Sequence, residues 1–278
     1  MRRFFDVAFS LTVRDVSGAR KQEYKLYRLP EEKWREYSPD VLSTFVRHVE
    51  RCIQKMREFY EKCSRDVFAK VFLADTRFIF TDKFPNEGNK LLREYPPKII
   101  ITSPPYGDSR TTVAYGQFSR LSSLWLSFEP EFKTDVVMRV DELSLGGAPN
   151  ELRDTDLYDL PLLNQTMAMI GKNDEKRATE VLSYFADLYL SLKKMYDALD
   201  CGGYCCIVIA NRTVKRVLIP THAIIAEMGV KIGFQNDVTI IPRNIPTKRL
   251  PWENAPENIP GLKGKTMSKE NIVIMRKK

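Results

Sequence analysis

The residues Ser103-Pro104-Pro105-Tyr106 follow directly on an apolar run, KIIIT, at residues 98–102. Two consecutive prolines fix two φ angles and remove two backbone N–H donors. The chain there is expected to form a stiff elbow that offers carbonyl oxygens and the Ser103 hydroxyl as hydrogen-bond acceptors. Tyr106 adds a flat aromatic face for stacking. Such an elbow suits a planar ligand that carries an amino group.

The exocyclic amines of cytosine and adenine are ligands of this kind. They are poor nucleophiles because the nitrogen lone pair is delocalised into the ring. Hydrogen bonds from both N–H groups to fixed acceptors would favour a more tetrahedral nitrogen that can attack an electrophile held in line, without a metal or a covalent intermediate. A base inside a duplex must be flipped out to reach such a pocket. A Pro-Pro pair after a strand is also often only a rigid turn, so the pattern alone leaves both interpretations open.

The elements around the elbow predict an α/β fold, because strands and helices alternate along most of the chain. Strands are predicted at 67–73, 98–103, 204–210, 238–242 and 271–277, and helices at 116–128, 175–199 and 220–230. The ligands of such sheets bind beyond the carboxyl ends of the strands. Asp75, the elbow and Asn211 all follow predicted strands, so we expect them near such a site.

The first 66 residues predict a separate region, which consists of a β-hairpin and one long helix. FDVAFSLTV at 5–13 alternates between apolar and polar residues, and Ser17-Gly18 supplies a turn before a second predicted strand at Tyr24–Leu29. After Ser38-Pro39, apolar residues recur at intervals of three and four, which is typical of an amphipathic helix. The predicted domains are therefore 1–66 and 67–278.

The composition favours a polyanionic partner. Lys and Arg number 44 against 36 Asp and Glu, for a formal net charge of +8, which is typical of many nucleic-acid-binding proteins. Five cysteines without metal-type spacing and only two histidines count against a metal site, and we expect no bound metal. Unpaired cysteines favour a reducing, cytoplasmic location. The sequence contains no apolar stretch of about 18 residues, so no membrane span is predicted. Charges interrupt the apolar N-terminus, so we interpret it as structure rather than a signal peptide.

The segment KIIITSPPYGDSRTTVAYGQFSRLSSLWL resembles motif IV and its following helix in the amino-group DNA methyltransferases. Its Ser-Pro-Pro-Tyr form is closer to the N4-cytosine class than to the Asp/Asn-Pro-Pro-Tyr form common in N6-adenine enzymes. VFLADTRF resembles motif III, LKKMYDALDCGGYCCIVIANRTVKRVLIPT resembles the helix–strand unit that follows motif IV, and RNIPTKRLPW with NIVIMRK resembles the C-terminal hairpin. The resemblance covers about 67–278 and implies a Rossmann-like class I methyltransferase sheet. It also implies methyl transfer from S-adenosylmethionine to N4 of a flipped cytosine, in a restriction-modification system.

One motif of that family is missing from this sequence. These enzymes bind S-adenosylmethionine on a Gly-rich loop after their first strand, whereas Gly146-Gly147 and Gly202-Gly203 do not lead from a buried strand into a helix. The family's strand order, 3-2-1-4-5-7-6, would leave KIIIT as an exposed apolar edge. We therefore expect an incomplete sheet, with the central strands 1 and 2 and motif I supplied by a second methyltransferase subunit. An atypical loop of this chain that binds the cofactor unaided is the alternative, and pairing with another copy of the chain would not provide motif I.

The resemblance also implies roles for particular residues. Ser103, Pro104, Pro105 and Tyr106 would be catalytic, and Asp75, Thr102 and Ser103 would contact the cofactor. The residues expected to contact double-stranded DNA are Arg110, Asn211, Lys215, Arg216, Arg243, Lys248, Arg249 and Trp252. Residues 130–173 and the loop at 243–268 are candidates for target recognition. Each of these residues also has a plain alternative role, as a turn residue, a solvated charge or a packing residue.

Other functions remain open at this stage. The first is an N6-adenine DNA methyltransferase, because the choice of cytosine depends on Ser103 alone. RNA and protein-glutamine amino methyltransferases more often carry Asn/Asp-Pro-Pro-Tyr, so Ser103 counts against them. A non-catalytic DNA-binding subunit with a relic elbow is a further alternative, and the intact Ser-Pro-Pro-Tyr sequence counts against it.

Overall fold

The computed structural model describes residues 2–20, 26–64, 66–107, 115–126, 134–147, 157, 159–245, 253–254, 264–265 and 269–278. Over these residues the helices are α1 Arg2–Val16, α2 Glu31–Arg35, α3 Val41–Lys62, α4 Asn86–Glu94, α5 Tyr115–Leu126, α6 Thr134–Met138, α7 Val140–Leu143, α8 Pro161–Gly171, α9 Glu175–Ala198 and α10 Thr221–Ile232, with a 3-10 turn at Thr76–Phe78. The strands are β1 Ile99–Thr102, β2 Tyr204–Ile209, β3 Arg212–Val214, β4 Val217–Ile219, β5 Thr239–Asn244, β6 Glu253–Asn254, β7 Gly264–Lys265 and β8 Lys269–Arg276.

Four strands form one mixed sheet in the order β1-β2-β8-β5. β1 runs parallel to β2, with Thr102 opposite Ile207. β8 lies between β2 and β5 and is antiparallel to both, with Arg243 of β5 opposite Glu270. This mixed sheet with its helices is compatible with a methyltransferase fold, and its order corresponds to strands 4-5-7-6 of the order that the resemblance implies.

The core lies between one face of this sheet and three helices, α8, α9 and α10. The inward residues of β2 and β8 are fully buried in this core, among them Cys205, Ile207 and Val273. α9 contributes a long buried face that includes Leu188 and Leu192. Each such aliphatic side chain contributes roughly 2 kcal/mol when it is fully buried. The elbow therefore follows a strand that is supported by the largest core in the described part of the chain.

The predicted strand at 5–13 is wrong, because these residues lie within helix α1. The alternating pattern also places Ala8 and Thr12 one helical turn apart, and both are buried. The segment is part of a helix of 15 residues, which is longer than the roughly 4–8 residues typical of a strand. An antiparallel backbone bridge of the kind found in hairpins lies further along the chain, between Ala19 and Arg28.

The predicted strand at 67–73 is also wrong, because these residues have no regular secondary structure. A strand needs a neighbour for its backbone hydrogen bonds, and no described strand pairs with this segment. Val71 and Leu73 are exposed. The Asp75 carboxylate instead begins the following 3-10 turn by accepting from the Arg77 N–H at 2.9 Å.

The chain divides into two compact units, Met1–Val71 with Val113–Leu143, and Phe72–Thr112 with Ser144–Lys278. In the first unit, α1 packs against α3 and α5, and Phe9 contacts both Phe45 and Trp125 edge to face. The second unit holds the sheet and the elbow. Thus the described residues of 113–143 pack with the N-terminal helices, while α8 belongs to the core of the second unit. None of the described helices has the length and apolar character that a membrane span requires.

Candidate active site

The Ser103–Tyr106 elbow begins immediately after β1, at the carboxyl end of that strand. Its backbone is held at Pro105, whose carbonyl oxygen accepts two hydrogen bonds. One comes from the Gly107 N–H at 2.9 Å, and the other from the Tyr184 hydroxyl at 2.7 Å. Tyr184 lies on α9 and is 1% exposed, so a rigid, buried side chain fixes this peptide.

The Tyr106 ring is held from a second direction. Its hydroxyl donates to Glu270 Oε2 on β8 at 2.7 Å. The other carboxylate oxygen of Glu270 accepts from the Arg243 guanidinium at 2.5–2.6 Å, across the β5–β8 pair. Both the backbone and the aromatic ring of the elbow are therefore anchored to elements far away in the sequence.

Two acceptors of the elbow are not used in this way. Among the described residues, neither the Ser103 hydroxyl nor the Pro104 carbonyl oxygen has a hydrogen-bond partner. Pro105 cannot serve equally well, since its carbonyl already accepts two bonds. The acceptors that can bind a ligand amine are therefore Ser103 and Pro104, with Tyr106 beside them.

Gly107 ends the elbow with a positive φ of 116°. A Cβ at this position would lie 2.7 Å from Arg212 Nη1 and 2.8 Å from Arg212 Cδ. Only glycine combines this backbone conformation with the close approach of the Arg212 side chain. Arg212 is the first residue of β3, and its guanidinium lies beside Gly107 at the end of the elbow.

A buried ionic network lies behind the elbow. Asp187, one turn after Tyr184 on α9, accepts from Arg77 Nη1 at 2.8 Å and from the Gly146 N–H at 2.9 Å. Arg77 also forms a bidentate pair with Asp75. These hydrogen bonds to Asp75 and then Asp187 raise the pKa of Arg77, although burial acts in the opposite direction. The network therefore connects α9 to the segment before β1.

The structure shows where the three residues predicted to contact the cofactor lie. Thr102 and Ser103 lie at the end of β1, as predicted. The carboxylate of Asp75, however, is occupied by Arg77. Gly146 packs closely against Tyr184.

Among the described residues, one edge of β1 has no strand beside it, and two side chains on one of its faces are exposed. β1 pairs only with β2 among the described strands, so its other edge has no neighbour. Ile99 and Ile101 point to the same face and are 58% and 74% exposed. Sheets built from parallel strands are normally covered on both faces. This apolar surface, Ile99 with Ile101 and the free edge of β1, is called the β1 edge surface below.

The residues predicted to contact DNA have varied environments. Asn211 Oδ1 lies 2.7 Å from His222 Nδ1 and so connects the end of β2 to the start of α10. Lys215 forms an ion pair with Asp174 at 3.1 Å, and Arg243 pairs with Glu270. Arg216 is exposed, in a tight β3–β4 turn. Arg110, Lys248, Arg249 and Trp252 lie outside the described residues.

The sequence interpretation missed Tyr184 and Glu270, which bond the elbow, and Asp187 and Arg77, which pair with each other. It also missed Arg212, which lies close to Gly107. One signal was available, because Tyr184 and Asp187 are polar residues beside the apolar stripe of α9. No local signal marks Glu270, which contacts Tyr106 across 164 residues of sequence. Among the described residues, no group of three or more His, Cys, Asp or Glu side chains is arranged to hold a metal ion.

Comparison with known proteins identifies one relevant relative. The chain is 36% identical over 282 aligned residues to the type II methyltransferase M.MvaI of Kocuria varians. The alignment covers 99% of this chain and 60% of the relative, so the chain spans about three-fifths of the relative's length. No protein-family model matches the chain, and no solved structure does.

Proposed function

We propose that this chain carries the catalytic motif of a type II DNA methyltransferase of a restriction-modification system. The reaction is methyl transfer to the exocyclic N4 of a cytosine that is flipped out of double-stranded DNA. The homology to a type II methyltransferase supports the reaction class. The observation that carries the proposal is the anchored elbow. Pro105 and Tyr106 are held by hydrogen bonds to Tyr184 and Glu270, while the Ser103 hydroxyl and the Pro104 carbonyl have no partner among the described residues.

The residues of the chain act by holding the target amine. The Ser103 hydroxyl and the Pro104 carbonyl accept the two N–H bonds of the amine, which favours a nitrogen with a localised lone pair. Tyr106 stacks on the base. Since these groups are fixed before the base arrives, they need no reorganisation during the reaction. A base can reach these groups only after it has been flipped out of the DNA duplex.

S-adenosylmethionine supplies the electrophilic methyl group in this reaction. We propose that a second polypeptide provides the Gly-rich loop that binds it, together with strands that extend the sheet at the β1 edge surface. The open edge and the exposed Ile99 and Ile101 support this assignment. So does the relative, whose unaligned two-fifths offer enough chain for the missing strands. The basic charge of the chain favours the approach of DNA.

The test measures cofactor binding and methyl transfer separately. Calorimetry with S-adenosylmethionine is carried out on the chain alone, and then on the chain mixed with the unaligned portion of the Kocuria varians relative or co-expressed with its own neighbouring gene product. We expect binding only in the mixtures. Tight binding by the chain alone would contradict the need for a second polypeptide.

Transfer of labelled methyl groups to DNA, RNA and protein identifies the substrate. We expect label in DNA, and N4-methylcytosine after digestion to nucleosides. Ser103→Ala should slow the reaction by about a hundredfold, which is typical for the loss of a preorganised hydrogen bond. N6-methyladenine would replace the cytosine assignment, and label in RNA or protein would exclude a DNA methyltransferase. Unchanged turnover in the Ser103 variant would remove the catalytic role of the elbow.

A further inference from the structure

The carboxylate of Glu270 makes two bonds that involve the elbow. It lies at the start of β8 and is 6% exposed. Oε2 accepts the Tyr106 hydroxyl at 2.7 Å, and Oε1 accepts the Arg243 guanidinium. A buried carboxylate is costly without partners of this kind. Each oxygen of Glu270 thus has its own partner, and one of the partners is the aromatic residue of the elbow.

Strand pairing fixes the position of this carboxylate. Arg243 and Glu270 lie directly opposite each other on β5 and β8, and the pair stands at the base of the connection between the two strands. Hydrogen bonds to ionised groups are shorter and stronger than neutral ones. The carboxylate is therefore placed by backbone pairing and oriented by Arg243 before it receives the Tyr106 hydroxyl.

The consequence for Tyr106 is geometric. A tyrosine ring held only through Cβ can turn about two side-chain bonds. A second attachment at the hydroxyl, on the opposite end of the ring, removes that freedom and sets the plane of the ring. A base stacked on this ring would take its own plane, and the direction of its amine, from Tyr106.

We propose that Glu270 is a positioning residue for methyl transfer, which sets the ring plane of Tyr106 beside the acceptors of Ser103 and Pro104. The proposal rests on the methyltransferase function proposed above. Glu270 touches neither the base nor the cofactor in this role and acts only through Tyr106. A purely structural carboxylate would instead affect folding and act independently of the tyrosine.

The test is a double-mutant cycle in the assembled enzyme, with single-turnover methyl-transfer rates as the readout. Tyr106→Phe keeps the ring and removes the hydroxyl, while Glu270→Ala removes the carboxylate. We expect each variant to be slower by about tenfold, the rate equivalent of one charge-assisted hydrogen bond. The double variant should be no slower than either single one, because both lose the same interaction. DNA affinity should change by less than about threefold, since stacking area is kept.

Two further variants separate positioning from folding. Glu270→Gln retains an acceptor for the Tyr106 hydroxyl and should recover most of the rate. Glu227→Ala is the matched control, because its carboxylate is also partly buried and accepts the Leu162 N–H instead of an elbow group. It should lower the melting temperature without changing the single-turnover rate.

The outcomes are distinguishable. Two results would overturn the positioning role if the wild-type enzyme still methylates DNA. One is a double variant whose loss of rate is the product of the two single losses, and the other is a wild-type rate in Glu270→Ala. Failure of Glu270→Gln to exceed Glu270→Ala would also overturn it. If the assembled wild-type enzyme transferred no methyl groups, the proposed function itself would fail, and the positioning role would fail with it.

Discussion

The Tyr184 hydroxyl donates to the Pro105 carbonyl oxygen at 2.7 Å and joins the middle of α9 to the elbow after β1. This bond connects two residues 79 positions apart in the sequence. It fixes the Pro105–Tyr106 peptide, one residue after Pro104, whose carbonyl is one of the two proposed acceptors. The long helix behind the sheet therefore helps to set the direction of a group at the site.

Tyr184→Phe should therefore impair catalysis more than folding. The phenyl ring retains the packing of Tyr184, and the variant loses the hydroxyl bond to Pro105. We expect a loss of about 1 kcal/mol in the free energy of unfolding and a methyl-transfer rate lower by several-fold, with little change in DNA affinity. Chemical denaturation and single-turnover kinetics measure the two effects. A rate equal to that of the wild type would show that the Gly107 N–H alone is sufficient to hold the peptide.

Gly107→Ala should inactivate the site. The added methyl group would meet Arg212 and would also occupy a backbone conformation with φ at 116° that side chains rarely adopt. We expect loss of methyl transfer with the melting temperature only moderately lower. Gly202→Ala is the control, because Gly202 also has a positive φ, of 71°, but the nearest side-chain atom lies 3.6 Å from its Cβ position. The control should lose some stability and keep its activity.

Ile101→Asp should prevent assembly with the second polypeptide that we propose. Since Ile101 is 74% exposed, the charge should cost the isolated chain little stability. On the β1 edge surface, however, it would be buried by an added strand or helix, where an unpaired charge is costly. Co-purification and sedimentation measure assembly. Leu218→Asp is the matched control, because Leu218 is an exposed strand residue of β4. Equal assembly by both variants would exclude the β1 edge surface as the docking site.

The stability of the chain should depend on the ionisation of His222. Burial lowers the pKa of His222 below its ordinary value of 6.5. Between the two pKa values the unfolded chain binds a proton that the folded chain does not. The contribution of His222 to the free energy of unfolding is therefore fully present above about pH 6.5 and is lost as the pH falls towards the lowered pKa. Urea midpoints between pH 8 and 5 test this. His222→Gln should flatten the dependence of the urea midpoint on pH. An equally steep dependence in His222→Gln would assign it to other groups.

Much of the sheet could be predicted from the sequence, because its strands are short apolar runs between clear breaks. β1, β2 and α9 begin and end within one or two residues of the predicted bounds. The order of elements around Ser103–Tyr106 also predicted the position of the elbow at a strand end. These features depend on local pattern, and local pattern is what a single sequence displays.

The failures arose where the pattern was ambiguous or the contacts were distant. The alternation at 5–13 is typical of a strand, but the segment is helical and Phe9 packs against α3 and α5. The segment 67–73 has strand-like residues but no neighbouring strand. Tyr184 and Glu270 reach the elbow across much of the chain, so only the folded structure shows that they hold it.

The position of β1 in the sheet has a consequence for the order of folding. Its only described neighbour, β2, follows on the order of a hundred residues later in the chain, and such distant pairings form slowly. α9, β2 and β8 can assemble their common core before β1 joins the sheet. The elbow should thus be among the last parts to order, and an early-binding second polypeptide would act as a template that speeds its maturation. Refolding of the chain with and without that polypeptide should accordingly differ in the slowest phase, while the collapse of the core proceeds at the same rate.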